Sequence, residues 1–396
     1  MAYDRPMAYG GDLAAYDRST AHHGDPTAYD HPNRPEHPPK PTGPIRVAVL
    51  GLGVIGKRVA HAVARHPGLE LAGVAVRSSG PAALAMDQLP LYASESAAAD
   101  RLRRAGLCPR GELGDLLAVT EVIVDCGPAR TGACRAPLYR QAGVRSIFSG
   151  GERDEQLGPI IHPALNYARA VNLDTCRMPS CNTTALGRLV AALPPLASLT
   201  AVVLRCATDS DKAAKGVTNG AVLGGQPSHH GADIAHLVPG LRATSAAATL
   251  PMTCGHCMHV SVTPDEVPDA RPLIEPGPRL SVRPPGEPIE TAAVKAALHQ
   301  RRWHDRYEVI AQPLGPVHAG DRHDFWLSLD NEAVTIPDVL DVIHAVSGVT
   351  EHQVTSEKTD CALGIPDPAV RTGQAAAADS QAPAWSGRTT PTWEAV

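Results

Sequence analysis

The sequence predicts an α/β protein in two halves. A doubly wound parallel sheet comes first, then an α+β half on a mixed or antiparallel sheet, with a disordered tail at either end. Three observations predict it. Strand and helix patterns alternate from residue 45 to about residue 180. Widely spaced β-branched runs with Pro- and Gly-rich joins follow. Outside residues 45–370 the chain almost lacks Leu, Ile and Val, so those ends cannot bury enough apolar area to offset their ordering entropy. Residues 1–44, rich in Pro and His, and residues 371–396, rich in Ala, are therefore expected to be disordered. The 396 residues carry 36 Lys+Arg against 41 Asp+Glu, a net charge of −5, which offers no footprint for nucleic acid or for an anionic membrane. The longest apolar stretch, Val47–Ile55, is broken by glycines and is far below the ~20 residues a bilayer requires. No basic start is followed by an apolar segment, so no secretory leader is expected. Nine cysteines without regular spacing suit free thiols in a reducing compartment, and a cytoplasmic location is expected.

The first folded element is the β-branched run Arg46–Leu50, which leads into Gly51-Leu-Gly53-Val54-Ile55-Gly56. Apolar residues then recur at Ile55, Val59, Ala62 and Val63 with helical spacing until Pro67-Gly68 stops them, and Leu71–Val76 reads as the next strand. A strand, a GxGxxG turn, a helix and a strand form the context in which that motif binds a dinucleotide. Gly51 permits the tight turn, Gly53 lets the backbone approach a pyrophosphate, and Gly56 lets the helix pack against the strand. The helix N-terminus, including Val54 and Ile55, offers free N–H groups and the positive end of its dipole. At the end of the second strand stand Arg77 and Ser78 in place of a carboxylate. A guanidinium and a hydroxyl suit a 2′-phosphate, so NADP is favoured over NAD. Glu121–Asp125 reads as a strand, Cys134–Gln141 as a helix and Arg145–Phe148 as a strand ending at Gly150-Gly151, where the cofactor crevice of an open α/β sheet lies.

Ser180-Cys181-Asn182-Thr183-Thr184 then precedes a helical stretch that Pro194-Pro195 ends. Ser, Asn and Thr are capping residues, so Cys181 is placed at a helix N-terminus. There the dipole and the unsatisfied N–H groups favour a thiolate, and the same N–H groups with Asn182 can hold an oxyanion. Further on, Ala201–Ala207, Val260–Val262, Tyr307–Gln312 and Asp324–Asp330 read as strands. Pro337 opens an amphipathic helix carrying Val339, Leu340, Ile343 and Val346 that is expected to pack back on the first half.

The glycine turn at 51–58, Ser-Cys-Asn-Thr-Thr at 180–184 and Pro-Ser-His-His-Gly at 227–231 occur in an order and at separations that resemble the archaeal-type (class II) glyceraldehyde-3-phosphate dehydrogenases. Gly150-Gly151-Glu152, Leu250-Pro251 before His256 and Asp330-Asn331-Glu332 add to the likeness, which spans about residues 45–366. The resemblance implies a Rossmann dinucleotide-binding domain at 45–180 completed by 336–370, and a catalytic domain at 181–335. It makes Cys181 the nucleophile and His256 the catalytic histidine. Ser180, Asn182, His230 and Gly231, with the adjoining Thr183 and His229, become the substrate-binding set, and Val54, Ile55, Gly151 and Asn331 become cofactor contacts. Where the family has two adjacent arginines this chain has Arg205-Cys206, leaving Arg205 for the cofactor. It further implies a phosphorylated aldehyde and inorganic phosphate as substrates, NADP or NAD as cofactor, a homotetramer, and no metal. The alternatives are a related semialdehyde dehydrogenase acting on another phosphorylated substrate and a non-catalytic paralogue. Cys254 and Cys257 flank His256 as a CxxC. With no second CxxC and no thioredoxin-like context, they read as small core residues rather than a redox or zinc pair. Alone, His229 and His230 follow Pro227-Ser228 in a turn-like context and read as surface residues. His259, three residues after His256 on a strand, is expected on the opposite face.

Overall fold

In the computed structural model, which describes residues 43–80, 83, 88–207, 219–266, 273–286, 288–291, 305–316 and 322–366, the first half is built on parallel strands. The two tails set apart by composition lie outside these residues, save residues 43 and 44. Strand β1 (Ile45–Leu50) turns into helix α1 (Val54–Arg65), which returns to β2 (Leu69–Val76) alongside β1. There follow β3 (Leu91–Ala93), α2 (Ser96–Arg104), α3 (Leu113–Leu117), β4 (Val122–Asp125), α4 (Gly132–Gln141), β5 (Arg145–Phe148), the short α5 (Pro163–Asn166) and β6 (Thr175–Arg177). The sheet order is β3-β2-β1-β4-β5-β6, every pair parallel, so the order reverses between β1 and β4. Ligands of such sheets bind at that switch point, beyond the strand C-termini. Helices on both faces explain why β4 is buried at all four positions. The buried Glu152 carboxylate accepts N–H bonds from Arg130, Thr131 and Gly132 at 2.8, 2.9 and 2.6 Å, satisfying the start of α4 with a negative charge at its positive end.

The second half opens with α6 (Cys181–Ala191), β7 (Leu196–Cys206) and β8 (Val222–Leu223). Next come α7 (His229–Leu237), β9 (Arg242–Leu250), β10 (His256–Pro264), β11 (Leu280–Val282), β12 (Val309–Pro316) and β13 (His323–Leu329). Its seven-stranded sheet has the order β11-β12-β13-β10-β7-β9-β8 and is mixed, with β7/β9 and β11/β12 parallel and the rest antiparallel. Ala201, Val203, Met258, Val260, Phe325 and Leu327 form one core with Leu186 and Leu189 of α6 and Ile234 of α7. From the other face Val202 and Trp326 emerge, 40% and 37% exposed. His259 lies on that face as expected from strand parity, its ring edge-on to Trp326. The chain ends in α8 (Ile336–Val346) and α9 (His352–Leu363), and α8 shares a core with β1 and α1. No helix among the described residues is long and apolar enough to cross a membrane.

Two expectations are corrected, and one strand is added. The strands of the second sheet are longer than their β-branched centres: β7 starts at Leu196 rather than residue 201, and β10 runs nine residues rather than three. The Ala-rich β9 carries no strand signal of its own and exists because β7 and β8 pair with its two edges. Helix α8 is not amphipathic in place: all eleven of its residues are buried, including Asp338 and Asp341. Those carboxylates are tolerated because Arg188 reaches Asp338 at 2.8 Å, and Arg279 reaches Asp338, Asp341 and Asp360 at 3.1, 2.7 and 2.7 Å. Burial opposes the charge on Asp341, yet Arg279 and its hydrogen bonds hold that carboxyl below the usual range.

Candidate active site

The glycine turn is shaped by what it excludes. Gly51 has φ +86°, and a Cβ there would lie 3.1 Å from the Cys126 carbonyl oxygen. At Gly56 a Cβ would fall 1.8 Å from the Gly51 carbonyl oxygen, so α1 can lie against the turn only with glycine at that position. Gly53 differs: among the described residues nothing lies within 4 Å of its missing Cβ, and no side chain caps α1. The N–H groups of Val54 and Ile55 therefore begin a helix whose positive end faces open space, a cradle that fits the pyrophosphate of a dinucleotide. Gly151, at φ +79° beyond β5, likewise has open space where a Cβ would be. Arg77 and Ser78 are exposed at the end of β2. Arg101 of α2 donates to the Arg77 carbonyl at 3.2 and 3.1 Å and pairs with Glu95 at 2.8 Å. It is a second guanidinium at that rim, and the sequence reading missed it because it lies on a later helix.

Arg58 ties the cradle to the second half. Its guanidinium donates to the Val54 carbonyl at 2.9 Å in the first turn of α1, to Asp305 at 2.7 Å and to Glu332 at 2.8 Å. Asn331, next to Glu332, has its side-chain oxygen 4.0 Å from Cys206 Sγ at the end of β7, one residue beyond Arg205. In the sheet register His256 stands opposite Leu329, two residues before Asn331. The glycine turn, Asn331, Arg205 and His256 thus gather at one end of the second sheet.

Cys181 is the first residue of α6. The N-cap is Ser180, whose hydroxyl accepts the Thr183 N–H at 3.3 Å. The Cys181 sulfur is half-buried and lies 3.7 Å from Nδ1 of the buried His256. The same Nδ1 is 3.1 Å from Oδ1 of Asn182, and Nδ2 of Asn182 is 3.3 Å from Nε2 of His230. His230 is almost fully buried, and burial first, then the neighbouring His229 and Arg205, push its pKa down to about 3. His230 is therefore neutral and sits in the first turn of α7, not in a surface turn. The glycine at 231 is required there, because a Cβ would lie 2.7 Å from the Thr244 backbone. His229 is half-buried, with Nδ1 3.0 Å from the Arg153 guanidinium and Nε2 3.8 Å from Asp233, and burial lowers its pKa. Thr183 is fully buried, its hydroxyl already bonded to Ser180 and to Asp233 at 3.0 and 3.2 Å.

The structure thus brings Ser180, Cys181, Asn182, Thr183, His229, His230 and His256 into one cluster. Arg77 and Ser78 stand apart at the β2 rim. Arg153 and Asp233 were not anticipated; their only signal is proximity that the fold creates. The cluster holds a thiol at a helix N-terminus, an imidazole beside it, and cations at Arg153 and Arg205 near the histidine pair. Cys254 and Cys257 are free thiols, and burial pushes the Cys257 thiol up.

No family model matches the chain. Among curated proteins, the glyceraldehyde-3-phosphate dehydrogenase of Archaeoglobus fulgidus is 31% identical over 337 residues, covering 81% of this chain and 98% of that protein. That of Thermococcus kodakarensis is 32% identical over 332 residues, covering 81% and 99%. Among solved structures, aspartate semialdehyde dehydrogenase II from Vibrio cholerae superposes with a TM-score of 0.54 at 12% identity, over 80% of this chain and 98% of that one, a likeness of fold. Identity above 30% to several such enzymes, over 81% of this chain and 98–99% of theirs, places this protein in the archaeal-type glyceraldehyde-3-phosphate dehydrogenase family.

Proposed function

We propose that the protein is a phosphorylating glyceraldehyde-3-phosphate dehydrogenase, which oxidises glyceraldehyde 3-phosphate with NAD(P)+ and inorganic phosphate to 1,3-bisphosphoglycerate. The observation that carries the reading is Cys181 Sγ at the start of α6, 3.7 Å from His256 Nδ1. The dipole of α6 and a protonated His256 both favour the thiolate. The thiolate adds to the aldehyde carbon, forming a C–S bond, and the carbonyl oxygen takes the proton from His256 to give a hemithioacetal. A bound nicotinamide dinucleotide supplies the acceptor for the hydride that the hemithioacetal carbon loses. His256 takes back the hydroxyl proton as that hydride leaves, and a thioester remains on Cys181. A phosphate oxygen then attacks the acyl carbon, the C–S bond breaks, the acyl phosphate departs and the thiolate is restored.

Ser180, Arg153 and His229 form the wall facing the substrate phosphate, with Arg153 and Arg205 supplying positive charge. Residues 45–180 with 336–370 form the cofactor-binding domain in this reading, and residues 181–335 the catalytic one. NADP is favoured over NAD through Arg77, Ser78 and Arg101. The working assembly is a homotetramer in the cytoplasm, and the partly exposed sheet face with Val202 and Trp326 is the surface that supports assembly. The test is reduction of each cofactor with glyceraldehyde 3-phosphate, with and without phosphate or arsenate, followed by absorbance. Phosphate-dependent NADPH formation that is lost in Cys181→Ser is expected. Turnover with aspartate semialdehyde but none with glyceraldehyde 3-phosphate would overturn the assignment.

A further inference from the structure

A second set of hydrogen bonds runs behind the cysteine. His256 Nδ1 faces two atoms at once, Cys181 Sγ at 3.7 Å and Asn182 Oδ1 at 3.1 Å. The orientation of the Asn182 amide therefore decides whether a proton at Nδ1 is welcome. With the oxygen turned to the ring the proton is stabilised; with the amino group turned there it is repelled. The far end of the amide meets His230 Nε2 at 3.3 Å, and His230 Nδ1 meets the Ser228 hydroxyl at 2.9 Å. Ser228 Oγ is 2.6 Å from Ser245 Oγ on β9. Two backbone groups anchor these hydrogen bonds. The Gly231 N–H donates to Ser245 Oγ at 2.8 Å, and the Ser245 hydroxyl donates to the Ser228 carbonyl at 3.0 Å. With its one proton on that carbonyl, Ser245 Oγ accepts from the Ser228 hydroxyl, and Ser228 Oγ in turn accepts from His230 Nδ1–H. His230 Nε2 is thereby left as an acceptor, and only the Asn182 amino group can fill it.

We propose that Ser245, Ser228 and His230 are positioning residues that lock the Asn182 amide with its oxygen on His256, holding at Nδ1 the proton that keeps Cys181 a thiolate. The proposal rests on Cys181 and His256 being nucleophile and base, and it gives His230 a role through Asn182 rather than as a charged phosphate ligand. Burial, His229, Arg205, His256 and Arg153 all keep His230 neutral, so its ring carries one proton and offers one nitrogen as an acceptor.

The experiment is the pH dependence of Cys181 alkylation by iodoacetamide, read by peptide mass, together with kcat and KM, for the full-length protein and its Ser245→Ala, Ser228→Ala and Ser228→Thr variants. Loss of the serine anchor is expected to raise the alkylation midpoint by about one pH unit and to lower kcat roughly tenfold near neutral pH. KM for aldehyde and for phosphate stays unchanged, and Ser228→Thr, which keeps the hydroxyl, restores the wild-type profile. Should Ser245→Ala fail to fold, Ser228→Ala decides. Unchanged alkylation profiles, or a raised KM with kcat intact, would overturn the positioning role. A wild-type Cys181 that alkylates no faster than an ordinary thiol would instead overturn the underlying reading of the site.

Discussion

Two buried histidines face each other where α1 ends and α8 passes, and they make stability depend on pH. The His66 and His344 rings are 5.0 Å apart between centroids, and His66 Nδ1 accepts the Gly68 N–H at 3.1 Å. Nε2 of each ring is buried without a hydrogen-bond partner among the described residues. A proton added to His344 would place a charge in that apolar seam. Burial first, then His66 and Lys358 against the opposing pull of Asp341, bring its pKa from 6.5 down to about 4. Burial lowers His66 as well. The neutral ring is the form that folds, so its contribution is fully present above the unfolded pKa of about 6.5 and is lost as pH falls toward 4. At 1.36 kcal/mol per unit, a lowering of roughly 2.5 units costs ~3 kcal/mol across that window. Replacing His344 by Phe removes the titration while keeping a ring in the seam. Urea unfolding of both proteins at pH 7, 6, 5 and 4.5 measures the difference, and other titrating groups, His230 included, cancel between them. The wild type is expected to lose stability with acid faster than His344→Phe, the gap widening by about 2–3 kcal/mol. Curves that remain parallel would refute the reasoning.

Other expectations follow from single contacts. Gly56→Ala puts a methyl 1.8 Å from the Gly51 carbonyl oxygen, so α1 must shift from the glycine turn; titration of NADPH fluorescence should show binding weakened at least tenfold. Arg279→Met leaves Asp341 and Asp360 buried with one fewer cation and should cost about 3–5 kcal/mol in chemical denaturation, whereas a surface pair such as Arg103 with Asp100 should cost under about 1 kcal/mol. Ser180→Ala removes the cap at the Thr183 N–H and should cost ~1 kcal/mol in the same experiment.

The parts of this molecule that are legible in its sequence are those built by neighbours along the chain. The glycine turn reads directly because its three glycines, its strand and its helix lie within thirty residues, and Gly51 and Gly56 each answer a local steric need. Cys181 reads directly because a capping residue and a helix announce a helix start on either side of it. His230 does not, since a histidine after Pro-Ser resembles a surface turn; only the return of β9 beneath α7 buries it and hands it Ser245 as a distant anchor. The Ala-rich β9 itself is invisible for a similar reason, as its conformation is imposed by the strands beside it. Asp338 and Asp341 look like the solvated face of an amphipathic helix until Arg188 and Arg279 arrive from other elements to neutralise them. Arg58 and Arg101 are ordinary helix-surface cations in sequence. Their tasks, joining the cradle to Glu332 and flanking Arg77, appear only in three dimensions.

The mass of Cys181 during turnover tests the account most directly. Protein mixed with glyceraldehyde 3-phosphate and NADP+ in phosphate-free buffer, quenched in acid and digested, is predicted to carry a phosphoglyceroyl group on the peptide containing Cys181, and to lose it when phosphate is added before the quench. Steady production of NADPH with that peptide unmodified, or with the acyl group on another residue, would contradict it.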